Sequence, residues 1–327
     1  MTGISEFDVI AKYLKPLAAS APGAFALSDD AAVLPDLPSG HAYVVTKDAL
    51  AAGVHMRSDE SPADMARKAL RVNLSDLAAM GARPIGLFMA LCLGADTDES
   101  FVQAFCTGLG ADLKTFDVAL MGGDIIRQPG PFIVSITAFG HAPRDRMLRR
   151  SGAQIGDTLW ITGTIGDAAL GLRAATGQLS GLKTADQEYL VDRYCIPQPR
   201  TKLGVRLIGL AHACIDVSDG LVADVGHICA GSALGCVIQS EKVPVSPAVR
   251  AVLAQNSDVL VDILTGGDDY ELAFAAPERA AEQIRHLAAA ASIQISSIGT
   301  FVSGHDVEVR DRNGDRIPIP SGGYRHV

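Results

Sequence analysis

The sequence predicts a mixed α/β protein of two domains, and three observations carry that reading. The chain has 327 residues, about twice the roughly 150 of a typical domain. β-prone runs alternate with segments of helical period along its whole length. Between His141 and Gly156 that alternation is broken by a polar, basic stretch holding Arg144, Arg146, Arg149 and Arg150. The boundary falls there, giving an N-terminal domain over 1–143 and a C-terminal α/β domain over 144–327.

Taken in order, Ser5 and Asp8 form a capping box opening a short helix through Leu14, with Phe7, Ile10, Tyr13 and Leu14 at helical spacing. Tyr43 to Thr46 is β-prone. Ser61, Pro62 and Asp64 supply an N-cap, a first-turn proline and an acidic third position for a helix reaching about Met80, with Gly81 as its stop. The apolar run Leu87 to Leu93 follows, then a helix near Asp98 to Phe116 and strands at Val118 to Met121 and Phe132 to Phe139. In the second half a strand is expected at Thr158 to Thr162, with others near Ile215, Val237 and Tyr270 to Phe274. Helices are expected near Asp167 to Thr176, Ala185 to Tyr194 and Leu221 to Ala230. A hairpin turning at Asn313-Gly314 closes the chain.

Composition narrows the function. Hydrophobic residues make up 48% and charged residues 20%, which is ordinary globular usage. Twenty-eight basic against thirty-seven acidic residues leave a net charge of −9, and that excludes a general nucleic-acid binder held by phosphate contacts. The most apolar stretch, Ile85 to Ala95, is about half the roughly 20 residues a membrane span needs. Residues 1–15 have no basic region leading into an apolar run, so no signal peptide is expected. The six cysteines show no paired or zinc-type spacing, as in a reduced, cytoplasmic protein.

There is no GxxxxGK[ST], no GxGxxG between strand and helix, no GxSxG and no HExxH. Aspartate instead recurs at the ends of apolar runs and beside glycine: Asp29-Asp30, Asp48, Asp76, Gly122-Gly123-Asp124, Asp216 with Asp219, and Gly267-Asp268-Asp269. Asp76 lies about 20° from the apolar stripe of Met65, Ala69 and Val72 on its helix. A carboxylate there either accepts backbone hydrogen bonds at the helix end or finds a cation, and hard, oxygen-seeking Mg²⁺ suits it. Asp219 reads either as an N-cap or as half of a metal platform with Asp216. Carboxylates spread over both halves become tolerable together when divalent ions bridge them to a polyphosphate. The arginines from 144 to 150 offer matching charge for phosphates or form a solvated linker.

The segments SDDAAVL from Ser28, VVTKDALAAGVHM from Val44, ARKALRVNLSDLAAMGARP from Ala66, MGGDIIR from Met121, RSGAQIGDTLWITGTIGDAALGL from Arg150, IDVSDGLVADVGHI from Ile215 and GGDDYEL from Gly266 occur in one order. In that combination the sequence resembles the thiamine-monophosphate kinases of the aminoimidazole-ribonucleotide-synthetase-like superfamily, over nearly the whole chain. The resemblance implies a two-domain fold whose N-terminal domain forms a homodimer, and Mg²⁺-assisted transfer of the ATP γ-phosphoryl group to thiamine monophosphate. It also implies roles. Asp30, Thr46, Asp48, Asp76, Asp124, Asp216 and Asp219 hold several Mg²⁺ ions. Gly123, Asp124, Arg150 and Ser218 lie on ATP, and His55, Asp268 and Tyr324 on thiamine monophosphate. The chain departs from the family pattern at Ala26-Leu27-Ser28, where Gly-Ile-Gly is usual, at Lys47 for threonine, at Asp268 for glutamate, and at Ser321 for an aromatic. The competing readings are a superfamily enzyme with another acceptor and a silent nucleotide- or thiamine-phosphate-binding protein.

Overall fold

The computed structural model describes residues 5–319, and the chain separates into two compact units. One comprises the chain up to Leu77 with Ala82–Arg144; the other comprises Ala78–Gly81 with the chain from Asp145 onward.

In the first unit the Ser5 hydroxyl accepts from the Asp8 N–H and caps α1 (Glu6–Val9). The chain then continues in wider turns over Ile10–Leu14 and tighter ones over Lys15–Ala18, so only the first turn of the expected helix is α-helical. Strand β1 (His41–Ala51) is longer than its β-prone core because it pairs with β4 (Ile133–Pro143) along eleven residues. Helix α2 (Pro62–Ala79) starts as expected, with the Ser61 hydroxyl accepting from the Asp64 N–H, and ends before Gly81 at φ +66°. β2 (Arg83–Leu93), α3 (Glu99–Phe116) and β3 (Ala119–Arg127) follow, and Asp98 caps α3. The sheet order is β1-β4-β2-β3, antiparallel except for the β2–β3 pair that α3 connects.

Period-2 alternation gives this sheet two different faces. Val44 and Leu50 of β1, Met89 and Leu91 of β2, and Val134 and Ile136 of β4 are buried on one. On the other, Val45, Lys47 and Ala49 are exposed, and Ala90, Cys92, Ser135 and Thr137 are half-buried.

The second unit is a seven-stranded sheet with helices. Its strands are β5 (Thr158–Thr162), β6 (Ala213–Asp216), β7 (Gly235–Gln239), β8 (Leu272–Ala276), β9 (Ile295–Val302), β10 (Val307–Arg310) and β11 (Arg316–Ile317), in the order β11-β10-β7-β9-β5-β8-β6. Its helices are α4 (Asp167–Ala175), α5 (Thr184–Cys195), α6 (Thr201–Leu207), α7 (Leu221–Ser232), α8 (Pro247–Gln255), α9 (Val259–Thr265) and α10 (Ala281–Ala291). One face packs a large aliphatic core that includes Leu159, Ile161, Ile215, Ile228, Ile263 and Phe301. The other packs Trp160, Cys214, Leu272, Phe274 and Ile284. The strand expected from Tyr270 begins only at Leu272, because Asp268 and Tyr270 have left-handed backbones at φ +69° and +50°. Asn313-Gly314 does turn between β10 and β11, with Gly314 at φ +86°. All six cysteines are free, and no helix among the described residues is long and apolar enough to cross a membrane.

Candidate active site

In the first unit β1 and α2 assemble one carboxylate group. Thr46 and Asp48 share the inward parity of Val44 and Leu50, so both point toward α2. The Thr46 hydroxyl donates to Asp76 Oδ2 at 2.5 Å. Asp76 is therefore not a helix-end aspartate satisfied by backbone amides alone. Burial, and then the Asp76 carboxylate beside it, push the Asp48 carboxyl up to about 6. Two carboxyl groups and a hydroxyl in one half-buried place form an all-oxygen donor set that suits Mg²⁺, whose charge would offset the repulsion between the two carboxylates.

Lys47 points the other way. Its Nζ donates to Ser135 Oγ at 2.9 Å and to Thr137 Oγ1 at 3.4 Å on the open face of the sheet. Asp124 stands on that face too. The row across the sheet from Asp124 passes through Ala90 and Ser135 to Ala49, whereas Asp48 lies in the row of Ile136, Met89 and Gly123. β1 and β3 are opposite edges, three strand spacings or about 14 Å apart. Asp124 thus falls outside the Thr46–Asp48–Asp76 group within one sheet, and it lines a cavity of about 310 Å³ together with Asp29, Asp30 and Gly123. No side chain fits at position 123, because a Cβ there would sit 1.9 Å from the Met89 carbonyl oxygen. The loop before Asp30 holds Phe25, Ala26 and Leu27 at φ +48°, +54° and +56°, a conformation that favours glycine. His55 lies in the turn after β1, where Nδ1 accepts the Ala51 N–H at 3.2 Å; the neutral ring therefore carries its proton on Nε2.

In the second unit two loops interlock. Asp216 ends β6, buried. Beyond it, the Val217 and Ser218 carbonyls accept from the Tyr270 and Asp268 N–H groups, both at 2.8 Å. A Cβ at Gly267 would lie 2.1 Å from the Ser218 oxygen, and one at Gly220, which has φ +130°, would lie 2.4 Å from the Thr265 oxygen. The residue that curls the 218–220 loop is Asp224: its Oδ2 accepts from the Ser218, Asp219 and Gly220 N–H groups at 3.0, 3.0 and 3.1 Å. Burial, then the Asp219 charge, push it up to about 7. The N-cap reading of Asp219 is thereby corrected: Gly220 occupies that place, and Asp219 is left to group with Asp224 and His227, their ligand atoms within 4.8 Å of one another. Asp268 carries Tyr270 Oη on Oδ1 at 3.3 Å, and Arg150 is exposed. Tyr324 lies outside the described residues.

Three acids brace these loops: Asp224 and Glu271, which sequence reasoning did not single out, and Asp269, which it named without this role. Asp269 accepts the Gly166 and Ala168 N–H groups at 2.6 and 3.1 Å, capping α4 from a distant loop. Glu271, fully buried, receives Arg200 on both oxygens at 2.6 and 2.5 Å, Arg193 at 3.1 Å and the Thr162 hydroxyl at 2.6 Å. Asp269 and Glu271 sit within the quoted GGDDYEL segment, and Asp224 within IDVSDGLVADVGHI, so their position was visible and their role was not.

Each unit of this α/β fold thus presents clustered carboxylates, an all-oxygen donor chemistry that suits a hard divalent cation. Family models match both halves: AIR synthase related protein, N-terminal domain, over 28–142, and C-terminal domain, over 154–312. The thiamine-monophosphate kinase of Caulobacter vibrioides is 41% identical over 97% of this chain and 90% of its own length. The crystal structure of the Stenotrophomonas maltophilia thiamine-monophosphate kinase is also 41% identical, with TM-score 0.81 over 89% of this chain and 91% of that one. The structure of AaThiL complexed with AMPPCP and TMP is 27% identical, with TM-score 0.78 over 98% and 97%. The chain belongs to the AIR synthase related family and, within it, to the thiamine-monophosphate kinases.

Proposed function

We infer that the protein transfers the γ-phosphoryl group of ATP to the phosphate of thiamine monophosphate, forming thiamine diphosphate and ADP. The observation on the molecule that supports this is the Asp48–Asp76 pair with Thr46, an oxygen-donor group in which burial and the neighbouring carboxylate push the Asp48 carboxyl up to about 6. Magnesium bound there would neutralise charge between two polyanionic reactants. Thr46, Asp48 and Asp76 form one set of ligands, Asp30 and Asp124 a second, and Asp216 and Asp219 a third. Gly123, whose bare backbone admits close approach, lies on the nucleotide with Ser218 and Arg150. His55 donates from Nε2 toward thiamine monophosphate, and Asp268, held by Tyr270, contacts the same substrate. The attacking phosphate oxygen is already anionic, so no residue is needed as general base. A cytoplasmic setting fits free thiols and soluble substrates.

We propose a homodimer, and the same geometry supports it. Asp30 and Asp124 stand at one edge of the sheet and the Asp48–Asp76 group at the other, while the face between them exposes Val45 and Ile126. A second copy laid on that face would bring the Asp124 edge of one chain to the Asp48 edge of the other. Asp124→Asn and Asp76→Asn should each fold and lose most Mg²⁺-dependent activity. Co-expressed, they should recover about one quarter of wild-type turnover, since half of random dimers are mixed and one of their two sites is intact. Folded single variants that keep full turnover would remove these carboxylates from the site. Mixed dimers that stay dead would place the whole ligand set within one chain.

A further inference from the structure

The seven-stranded sheet carries a second hollow that shares no residue with the loops above. β5 and β9 pair across a bulge: Leu159 faces Gly299 and Trp160 faces Ser297, so Ile298 is the extra residue and is buried in the aliphatic core. Bulges of this kind re-aim side chains and open local space. Position 299 takes only glycine, because a Cβ would lie 2.3 Å from the Val237 carbonyl oxygen. Beside the Trp160 indole the sheet therefore has a cavity of about 210 Å³.

Its walls are rich in donors. Lys242, Arg285, Gln239, Ser297 and Thr300 line it, and among the described residues none of these side chains makes a hydrogen bond or ion pair. Trp160 is 4% exposed and forms part of the wall, so its indole packs beside the cavity. Glu278 is the only lining acid, and it already accepts the Thr158 hydroxyl at 3.4 Å. Two cations against one carboxylate, with three further polar side chains around them, select an acceptor-rich anion.

We propose that this hollow is a phosphate-binding site, taking inorganic phosphate or a phosphate monoester between Lys242 and Arg285 against the Trp160 indole. The chain has one tryptophan, so indole emission reports on this wall. The purified full chain is titrated with inorganic phosphate and, separately, with methyl phosphate, potassium chloride holding ionic strength constant. Expected is a saturable change in emission with half-saturation below about 10 mM, weakened at least about tenfold in Lys242→Gln/Arg285→Gln. Both side chains are exposed, so the double variant folds and keeps its turnover. Saturation by both probes assigns the site to monoesters, and saturation by phosphate alone assigns it to the free ion. No saturable change, or the same change in the double variant, overturns the proposal.

Discussion

Asp48 shows how a single residue links stability to metal. Its folded pKa, about 6, lies above the ordinary carboxylate value, so its contribution to metal-free stability is fully present below about pH 4 and is lost as pH rises through about 6. Asp48 is partly exposed, and screening reduces the effect to about 1–2 kcal/mol. Asp48→Asn should thus gain on the wild type between pH 4 and 7 in metal-free thermal melts, and saturating Mg²⁺ should reverse the order. Parallel pH profiles for the two proteins would contradict the Asp48–Asp76 coupling. Lys47 belongs to the same scale. It shares the open face with Asp124, not the inner face with Asp48, and is a fixed cation where the family usually has threonine. Lys47→Thr should shift the Mg²⁺ dependence of the rate to lower concentration, since a cation that competes with the metal is removed, and an unchanged titration would deny Lys47 any part in the site.

Among the elements, the regular ones were legible because their signals are local. Ser61-Pro62-Asp64 starts α2, Asp98 caps α3, and the apolar run Thr158 to Thr162 is β5 residue for residue. α6, α8, α9, α10 and β9 went unread. α10 is nearly half alanine and β9 carries an extra bulged residue, so neither keeps a clean period. The site was legible as a set of aspartates, but not in its grouping. That Asp124 and Asp48 lie on opposite faces depends on strand register, and a register is set by pairing over long range. Asp224 escaped notice because its three amide partners become neighbours only once the loop curls. That curl is testable. Gly220→Ala places a Cβ against the Thr265 carbonyl at a backbone angle that disfavours side chains, and it should destabilise the protein by more than about 2 kcal/mol in denaturant unfolding. A wild-type midpoint would show that the two loops are not locked there.

At the scale of the whole molecule, family membership and chemistry agree on a phosphoryl transfer between two anions. The measurement that bears on this most directly is product analysis with ATP, Mg²⁺ and thiamine monophosphate. ADP is followed alongside thiamine diphosphate by chromatography, with controls lacking the acceptor or the metal. The account predicts that ADP and thiamine diphosphate appear one for one, and only when both acceptor and Mg²⁺ are present. Thiamine monophosphate that binds without yielding thiamine diphosphate, or ADP released without regard to the acceptor, would contradict it.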